Sequence, residues 1–393
     1  MTRSVPDSCP GVLRLHQAAD GPLARIRLPG GALRPAQLQA LAEAARDLGD
    51  GQLELTSRGN VQVRRVRDAA ALAARLDAAG LLPAPAHERV RNIVASPLSG
   101  RVGGCTDVHA LVPALDEGLR ADPELAELPG RVLFTLDDGR GDVSGLGGDL
   151  GVHAVDGERY ALVLGGRDTG VRVAAADAVA TMLAAARGFQ ALRGERWRLH
   201  EIDDGPARVL SRLGLTATAE PLTFGARHDI PIGWHDQSDG RVALGAGVPL
   251  GSLPARTAEF LAAVERPVFI TPWRSLVLAD LDEWAAEQVV RVLAPMGLIF
   301  DAESPWLLAT ACAGQPGCAK SRTDIRGEVA AAVAEGRVVA GSAPTPQAGA
   351  RALDLVVAGR QHWSGCDRRC GRPRGAVTDV VAEADGYRVT PPS

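Results

Sequence analysis

Leu28-Pro29-Gly30-Gly31-Ala32-Leu33 returns 220 residues later as Val248-Pro249-Leu250-Gly251-Ser252-Leu253. Proline, glycine and leucine hold matching places, and the flanking segments match as well. Residues 23–28 read as a strand; Pro35 takes a helix's first position, and Leu38, Leu41, Ala45 and Leu48 line one face of it. Residues 52–56 and 61–66 read as strands joined across Arg58-Gly59-Asn60. Asp68 caps a helix through Leu72 and Leu76 that stops at Gly80. The second copy has a strand over 242–245, a turn at Pro249-Leu250-Gly251 and a helix opened by Pro254 through Phe260 and Val264. Strands over 268–271 and 276–281 follow, then a helix capped by Asp282 that ends before Gly297. Thr56-Ser57-Arg58 falls near Thr271-Pro272-Trp273-Arg274. A repeat of this length is no solenoid. It predicts two half-domains paired about a pseudo-twofold axis.

Around these copies, residues 90–99 read as strand then loop, 132–136 and 160–164 as strands, and 174–191 as a long apolar-striped helix. Residues 203–227 look like a linker, punctuated by proline and glycine. A helix over 324–335 follows Cys318, and 341–347 reads as an exposed loop. The expected division is 12–85 for the first half, 86–235 for an α+β unit, 236–302 for the second half and 303–393 for a cysteine-bearing α+β unit.

Four cysteines mark the last unit: Cys312-Ala-Gly-Gln-Pro-Gly-Cys318 and Cys366-Asp-Arg-Arg-Cys370. Zinc sites favour tighter, matched knuckles. Four thiolates on separated loops also hold iron–sulfur cubes. Gly314, Pro316, Gly317, Gly365, Gly371 and Pro373 suit backbones that turn sharply and bring amides near sulfide. A cube, a structural zinc, two disulfides and unrelated buried thiols all remain open on spacing alone. Cys9 and Cys105 stand outside the frame.

The 393 residues are enough for two or three cores, and 46% hydrophobic with 23% charged residues describe an ordinary globular chain. Net charge is −4 and no basic run occurs, which argues against a nucleic-acid partner. The first eleven residues lack an apolar signal core, and no stretch is long and apolar enough to span a bilayer. A cytoplasmic protein, in which thiols stay reduced or metal-bound, is the expectation.

Several motifs fail. Gly245-Ala-Gly247-Val-Pro-Leu-Gly251 has its third glycine one place late and a proline where a dinucleotide-binding helix would begin, so it reads as a turn. The sole lysine, Lys320, follows Ala319 and completes no P-loop. Asp137, Asp138 and Asp142 lack calcium-loop spacing and read as a solvated turn. Redox chemistry would therefore need electrons from a partner.

Taken together, the duplication, the four-cysteine frame and three further motifs resemble the sulfite and nitrite reductase superfamily across nearly the whole chain. The motifs are Thr56-Ser57-Arg58-Gly59-Asn60-Val61-Gln62, Arg91-Asn92 within its apolar segment, and His362-Trp363-Ser364-Gly365-Cys366 through Cys370. Within that superfamily the precorrin-3B synthase family is the nearest likeness. It is carried by Cys9-Pro10-Gly11, Arg27-Leu28-Pro29-Gly30-Gly31, Leu136 through Asp142, and Pro272-Trp273-Arg274-Ser275-Leu276. The resemblance implies an α+β fold of duplicated ferredoxin-like halves plus two larger α+β domains. It also implies an O2-dependent monooxygenase that hydroxylates precorrin-3A at carbon 20 and closes a γ-lactone in cobalamin biosynthesis.

The implied cofactors are a 4Fe–4S cluster on Cys312, Cys318, Cys366 and Cys370 and a further non-haem iron, with no sirohaem. Asp138, Asp142 and His362 are the conceivable ligands of that iron. The donor of electrons would be ferredoxin or an NAD(P)H-linked reductase. Arg58, Asn60, Gln62, Arg91, Asn92, Arg131 and Arg274 are the implied substrate contacts, because guanidinium matches the carboxylates of a tetrapyrrole. The catalytic acid and base stay unassigned. Reductases carry two basic side chains in a Leu-Pro-Arg-Lys-Phe-Lys type segment. Here Leu128-Pro129-Gly130-Arg131-Val132-Leu133 keeps one cation, and a guanidinium gives up protons poorly. A sirohaem-dependent ferredoxin sulfite or nitrite reductase is the alternative, and a non-enzymatic metal or tetrapyrrole-binding protein a third.

Overall fold

The computed structural model describes residues 7, 9–225, 230–341, 351 and 354–392. Positions 342–347 of the expected loop, and 226–227 of the expected linker, lie outside them. The two repeat copies build two antiparallel five-stranded sheets. One runs His16–Ala18, Gly21–Ile26, Val61–Val63, Gln52–Leu55, Ser252–Pro254; the other runs Gly233–Asp236, Val242–Gly247, Ser275–Leu281, Val268–Ile270, Ala32–Leu33. The last strand of each comes from the other copy: Leu253 lies opposite Leu53, and Leu33 opposite Val268.

The repeated proline–glycine turn makes this exchange possible. Gly31 and Gly251 have φ of 69° and 71°, a left-handed region that glycine enters without penalty. At Gly31 a Cβ would stand 2.0 Å from the Ile270 carbonyl oxygen, so only glycine lets the two copies touch there. Apolar side chains from both copies, Val12 through Leu298, form one core. Helices Pro35–Leu48 and Ala255–Ala263 pack on each other across it. We propose that the working units are the three large cores, with 12–85 and 236–302 counting together.

The two larger units also share a plan, which the residues alone had not disclosed. In one, Ile93–Ala95, Phe134–Asp137 and Leu150–Ala154 run parallel, and Arg159–Leu164 then Arg167–Ala174 return antiparallel. In the other, Ala309–Ala311, Gln361–Ser364 and Thr378–Glu383 run parallel and Gly386–Thr390 returns. Helices Leu111–Ala121 and Ile325–Ala334 make the first crossover in each. Among the described residues no helix is long and apolar enough to cross a membrane.

Three local expectations need correction. Residues 203–227 are not a plain linker: Gly205–Leu213 is an amphipathic helix, with Pro206 in its first turn and left-handed Gly214 as its C-cap. The proline and glycine that looked like linker punctuation are the helix's own start and stop signals. Pro254 does not open a helix but closes strand Ser252–Pro254, because strand exchange claims it, and the helix starts at Ala255. The acidic turn at 137–142 is not solvated; Asp137 and Asp138 are fully buried and Asp142 nearly so. The expected caps hold: Asp68 and Asp282 accept from Ala71 and Ala285 N–H.

Candidate functional site: a thiol frame beside an arginine-lined cleft

Parallel pairing of Ala309–Ala311 with Gln361–Ser364 brings the two cysteine loops together at the same end of the sheet. Cys312 N–H donates to the Trp363 carbonyl at 3.0 Å, and Gly365 N–H donates to Cys312 Sγ at 3.4 Å. An amide aimed at sulfur is the environment a thiolate ligand needs. All four cysteines are free thiols, which removes the disulfide alternative. Burial raises the Cys370 thiol, Arg368 pulls it back, and the other three sulfurs raise it further, so Cys370 lies close enough to feel all three. Tetrahedral zinc would draw its sulfurs to about 3.8 Å apart. Among the described residues only Asp137, Asp138 and Asp142 bring three such ligand atoms within 4.8 Å, so the thiols are spread more widely than zinc requires. A donor set of four spread thiols fits a four-iron cluster.

Beside this frame lies a cleft of about 1260 Å³, counting the part open to solvent, where both half-domains meet the cysteine unit. Among the described residues six arginines line it, Arg58, Arg198, Arg274, Arg360, Arg372 and Arg374, and no carboxylate does. Arg58 and Arg274 enter from opposite halves on equivalent turns. Thr56 Oγ1 accepts the Asn60 N–H, and Thr271 Oγ1 accepts the Trp273 N–H. Arg198 is held by Asp149 at 2.7 Å, Arg372 by Asp379 at 2.8 Å, and Arg274 donates to the Gly371 carbonyl. The guanidinium groups of Arg58, Arg360 and Arg374 make no hydrogen bond or ion pair among the described residues.

Electrostatics mark the cleft as short of negative charge. Burial, then the like charge of Arg198, brings Arg58 down to about 10. Burial followed by a neighbouring arginine also lowers Arg274, Arg360 and Arg374. Cations that destabilise one another in a partly desolvated wall are poised for anions.

The remaining implied contacts are engaged elsewhere. Asn60 Oδ1 accepts the Leu28 N–H, Asn60 Nδ2 donates to Asn92 Oδ1, and Asn92 Nδ2 donates to the Arg89 and Gly130 carbonyls. Both asparagines tie loops together. The Gln62 amide oxygen faces the Arg25 Nε at 2.9 Å. Arg91 forms a buried fork with Asp116 at 2.6 and 2.9 Å. Arg131 stacks over Trp197 at 4.8 Å, outside the cleft, while Leu133 lines it. Arg198, Arg360, Arg372 and Arg374 are additions; Arg372-Pro-Arg374, directly after Cys370, was the visible signal for two of them.

Of the three conceivable iron ligands, Asp138 and Asp142 already have partners, while His362 keeps one ring nitrogen without a partner among the described residues. Asp137 accepts N–H groups of Gly139, Gly141, Val143 and Ser144, and Asp138 pairs with Arg140 at 2.6 Å. Asp142 takes the Ser96 hydroxyl at 2.6 Å. His362 lies in the strand beneath the cleft, with Nδ1 3.0 Å from Thr310 Oγ1 and Nε2 without a partner. Burial, then Arg274, lowers its imidazole to about 4, so it is neutral at neutral pH.

Comparison with known proteins places this geometry. Residues 16–79 match the nitrite/sulfite reductase ferredoxin-like half domain. A precorrin-3B synthase from Sinorhizobium is 27% identical, with 97% of this chain and 81% of that protein covered. A ferredoxin–nitrite reductase from Synechococcus elongatus is also 27% identical, covering 91% of this chain and 75% of that one. An assimilatory ferredoxin-dependent nitrite reductase from Haloferax mediterranei is 25% identical, covering 93% and 72%. The solved structure of the Mycobacterium tuberculosis NirA protein superposes with a TM-score of 0.75 at 21% identity, covering 94% of this chain and 74% of that one.

Proposed function

For a chain that has the sulfite/nitrite reductase fold and resembles precorrin-3B synthase along its length, we propose O2-dependent hydroxylation of precorrin-3A at carbon 20, with closure of the γ-lactone. The observation that carries this reading is the cleft: six arginines and no carboxylate among the described residues, and Leu133 where a reductase would present a second basic side chain. A macrocycle bearing many acetates and propionates supplies the missing negative charge. Arg58, Arg360 and Arg374 are the unengaged partners; Arg274 and Arg198 are held in place by Gly371 and Asp149 and so orient what they bind.

Cys312, Cys318, Cys366 and Cys370 would hold a 4Fe–4S cluster, which when bound relays single electrons from an external donor. A ferredoxin is our proposal for that donor, because the reductase relatives are ferredoxin-dependent. Leu133, Leu146 and Trp273 give the cleft an apolar wall that limits water around the ring, a condition that favours oxygenation over proton-coupled reduction. In the balanced reaction one oxygen atom enters the substrate and the other leaves as water with the donor's two electrons and two protons.

The second reading is a sirohaem-dependent nitrite or sulfite reductase, favoured by the two nitrite reductases of similar identity. Pigment extraction from protein purified without oxygen separates the two. Iron–sulfur absorbance without sirohaem supports oxygenation; stoichiometric sirohaem supports the reductase.

A further inference from the structure

A chain of four charged side chains joins the first half-domain to the loop that carries Cys318. Arg64, on the strand edge after Val61–Val63, forks onto Asp20, with Nε to Oδ2 at 3.0 Å and Nη2 to Oδ1 at 2.6 Å. The same Nη2 donates to the Gly317 carbonyl at 2.9 Å, across 253 residues of sequence. Arg64 Nη1 stands 4.0 Å from Glu54, and Glu54 binds Arg326 at 2.5 Å. Arg326 lies in helix Ile325–Ala334, which follows the same loop. Arg64 is only 7% exposed, and Asp20 and Glu54 side chains are 6% and 10% exposed. Arg65 Nε also lies 3.6 Å from Asp20, and every described charge in the network has a partner.

We propose that Arg64 is a positioning residue for Cys318, setting the orientation of the Gly317–Cys318 peptide from outside the cysteine unit. A trans peptide holds its C=O and the next N–H in opposite directions. Anchoring the Gly317 carbonyl on Arg64 therefore turns the Cys318 N–H away from the half-domain. Gly317 leaves the room this needs: a Cβ there would lie 2.7 Å from Arg64 Nη2. A lysine at 64 could reach the carbonyl but not fork Asp20 as well. The other three cysteines have no such contact with the half-domain among the described residues, so the effect is confined to Cys318. This inference rests on the reading of the four thiols as one ligand set.

The test compares wild type, Arg64→Met, Arg64→Lys and Gly317→Ala. Metal-free protein is alkylated and the rate at each cysteine is followed by mass spectrometry; reconstituted protein is titrated for its iron–sulfur EPR signal and midpoint potential. Arg64→Met is expected to raise the Cys318 rate about tenfold relative to Cys366, the scale of losing a hydrogen bond from a charged donor. It should also shift the potential, and Arg64→Lys should recover part of both. Gly317→Ala, which leaves the half-domain core intact, should reproduce the Cys318 exposure and guards against misfolding of the first variant. Equal alkylation rates and an unmoved potential in both Arg64→Met and Gly317→Ala would overturn the proposal. Failure of wild type to take up any cluster would instead remove the ligand-set reading, while the alkylation result still judges the clamp.

Discussion

The loop at Gly365–Cys370 and the loop at Asp138–Asp142 occupy the same place in two units with the same strand order. Each follows the second parallel strand, and each meets the end of the first. In one, Gly365 N–H donates to Cys312 Sγ at 3.4 Å; in the other, Asp138 N–H donates to Ser96 Oγ at 3.2 Å. The fold is matched to that level, yet the chemistry diverges. The acidic loop satisfies itself, since Arg140 covers Asp138, four amides cover Asp137 and Ser96 covers Asp142. The thiol loop leaves its sulfurs unbridged; among the described residues both feeding strands carry unpartnered polar atoms, Thr135 Oγ1 in one and His362 Nε2 and Ser364 Oγ in the other. One scaffold thus carries a closed structural knot and the proposed ligand set. The residues carried at that position, rather than the position itself, separate the two loops.

That contrast predicts different outcomes for substitutions at matching places. The largest effect is expected at the open loop: Cys318→Ser should lose the cluster and the activity together, read as bound iron, acid-labile sulfide and turnover. An active, cluster-free variant would remove these thiols from the reaction. At the closed loop, Arg140→Met should leave cluster content unchanged but strand buried Asp138, costing on the order of 3 kcal/mol in stability. A chemical denaturation curve checks it, and an unchanged midpoint would mean the knot does not depend on Arg140.

A smaller effect belongs to the cleft. Arg58→Ala should weaken tetrapyrrole binding by about tenfold, the scale of one charge-assisted hydrogen bond, without altering the iron–sulfur spectrum. Equilibrium titration with fluorescence or absorbance detection reads it, and unaltered affinity would take Arg58 out of the site.

The subtlest prediction concerns pH. Burial and then Asp137 raise the Asp142 carboxyl to about 7, from an unfolded value near 3.8. The folded state therefore holds the proton more tightly, and this group's contribution to stability is lost as pH rises from about 4 through 7. Asp137 has the opposite sign. Burial raises it, but His153 and the loop amides more than offset this and hold it at about 2, so its contribution is lost only as pH falls towards that value. Asp142→Asn should flatten the stability profile between pH 4 and about 7, seen in melting temperatures across that range. A wild-type slope that survives the substitution would assign it to another group.

Much of this was legible in the residues. The two Pro-x-Gly-x-Leu turns disclosed the duplication, the caps at Asp68 and Asp282 gave the helix starts, and the four cysteines marked the proposed ligand frame. Arg58 and Arg274 followed from the repeat and do line the cleft. Arg91, Asn60 and Asn92 matched the same motifs but face inward, to Asp116, Leu28 and Gly130, because a motif does not say which way a side chain turns. Arg198 and Arg360 reach the cleft only through tertiary packing of distant segments, and no local pattern records that. The burial of Asp137, Asp138 and Asp142 was hidden for the same reason: Arg140 supplies the compensating charge from inside the loop, where it looks like an ordinary surface residue. Strand exchange was invisible because Ala32–Leu33 and Ser252–Pro254 are too short for a period to show.

The central claim is that the arginine-lined cleft holds a tetrapyrrole as substrate and not as a resident cofactor. Incubation of anaerobically purified protein with precorrin-3A, a reducing donor and 18O2, followed by mass spectrometry of the pigment, tests this directly. A substrate-dependent product carrying one 18O atom is expected. Pigment recovered without 18O, together with sirohaem already bound to the protein and electrons passing to nitrite or sulfite, would contradict it.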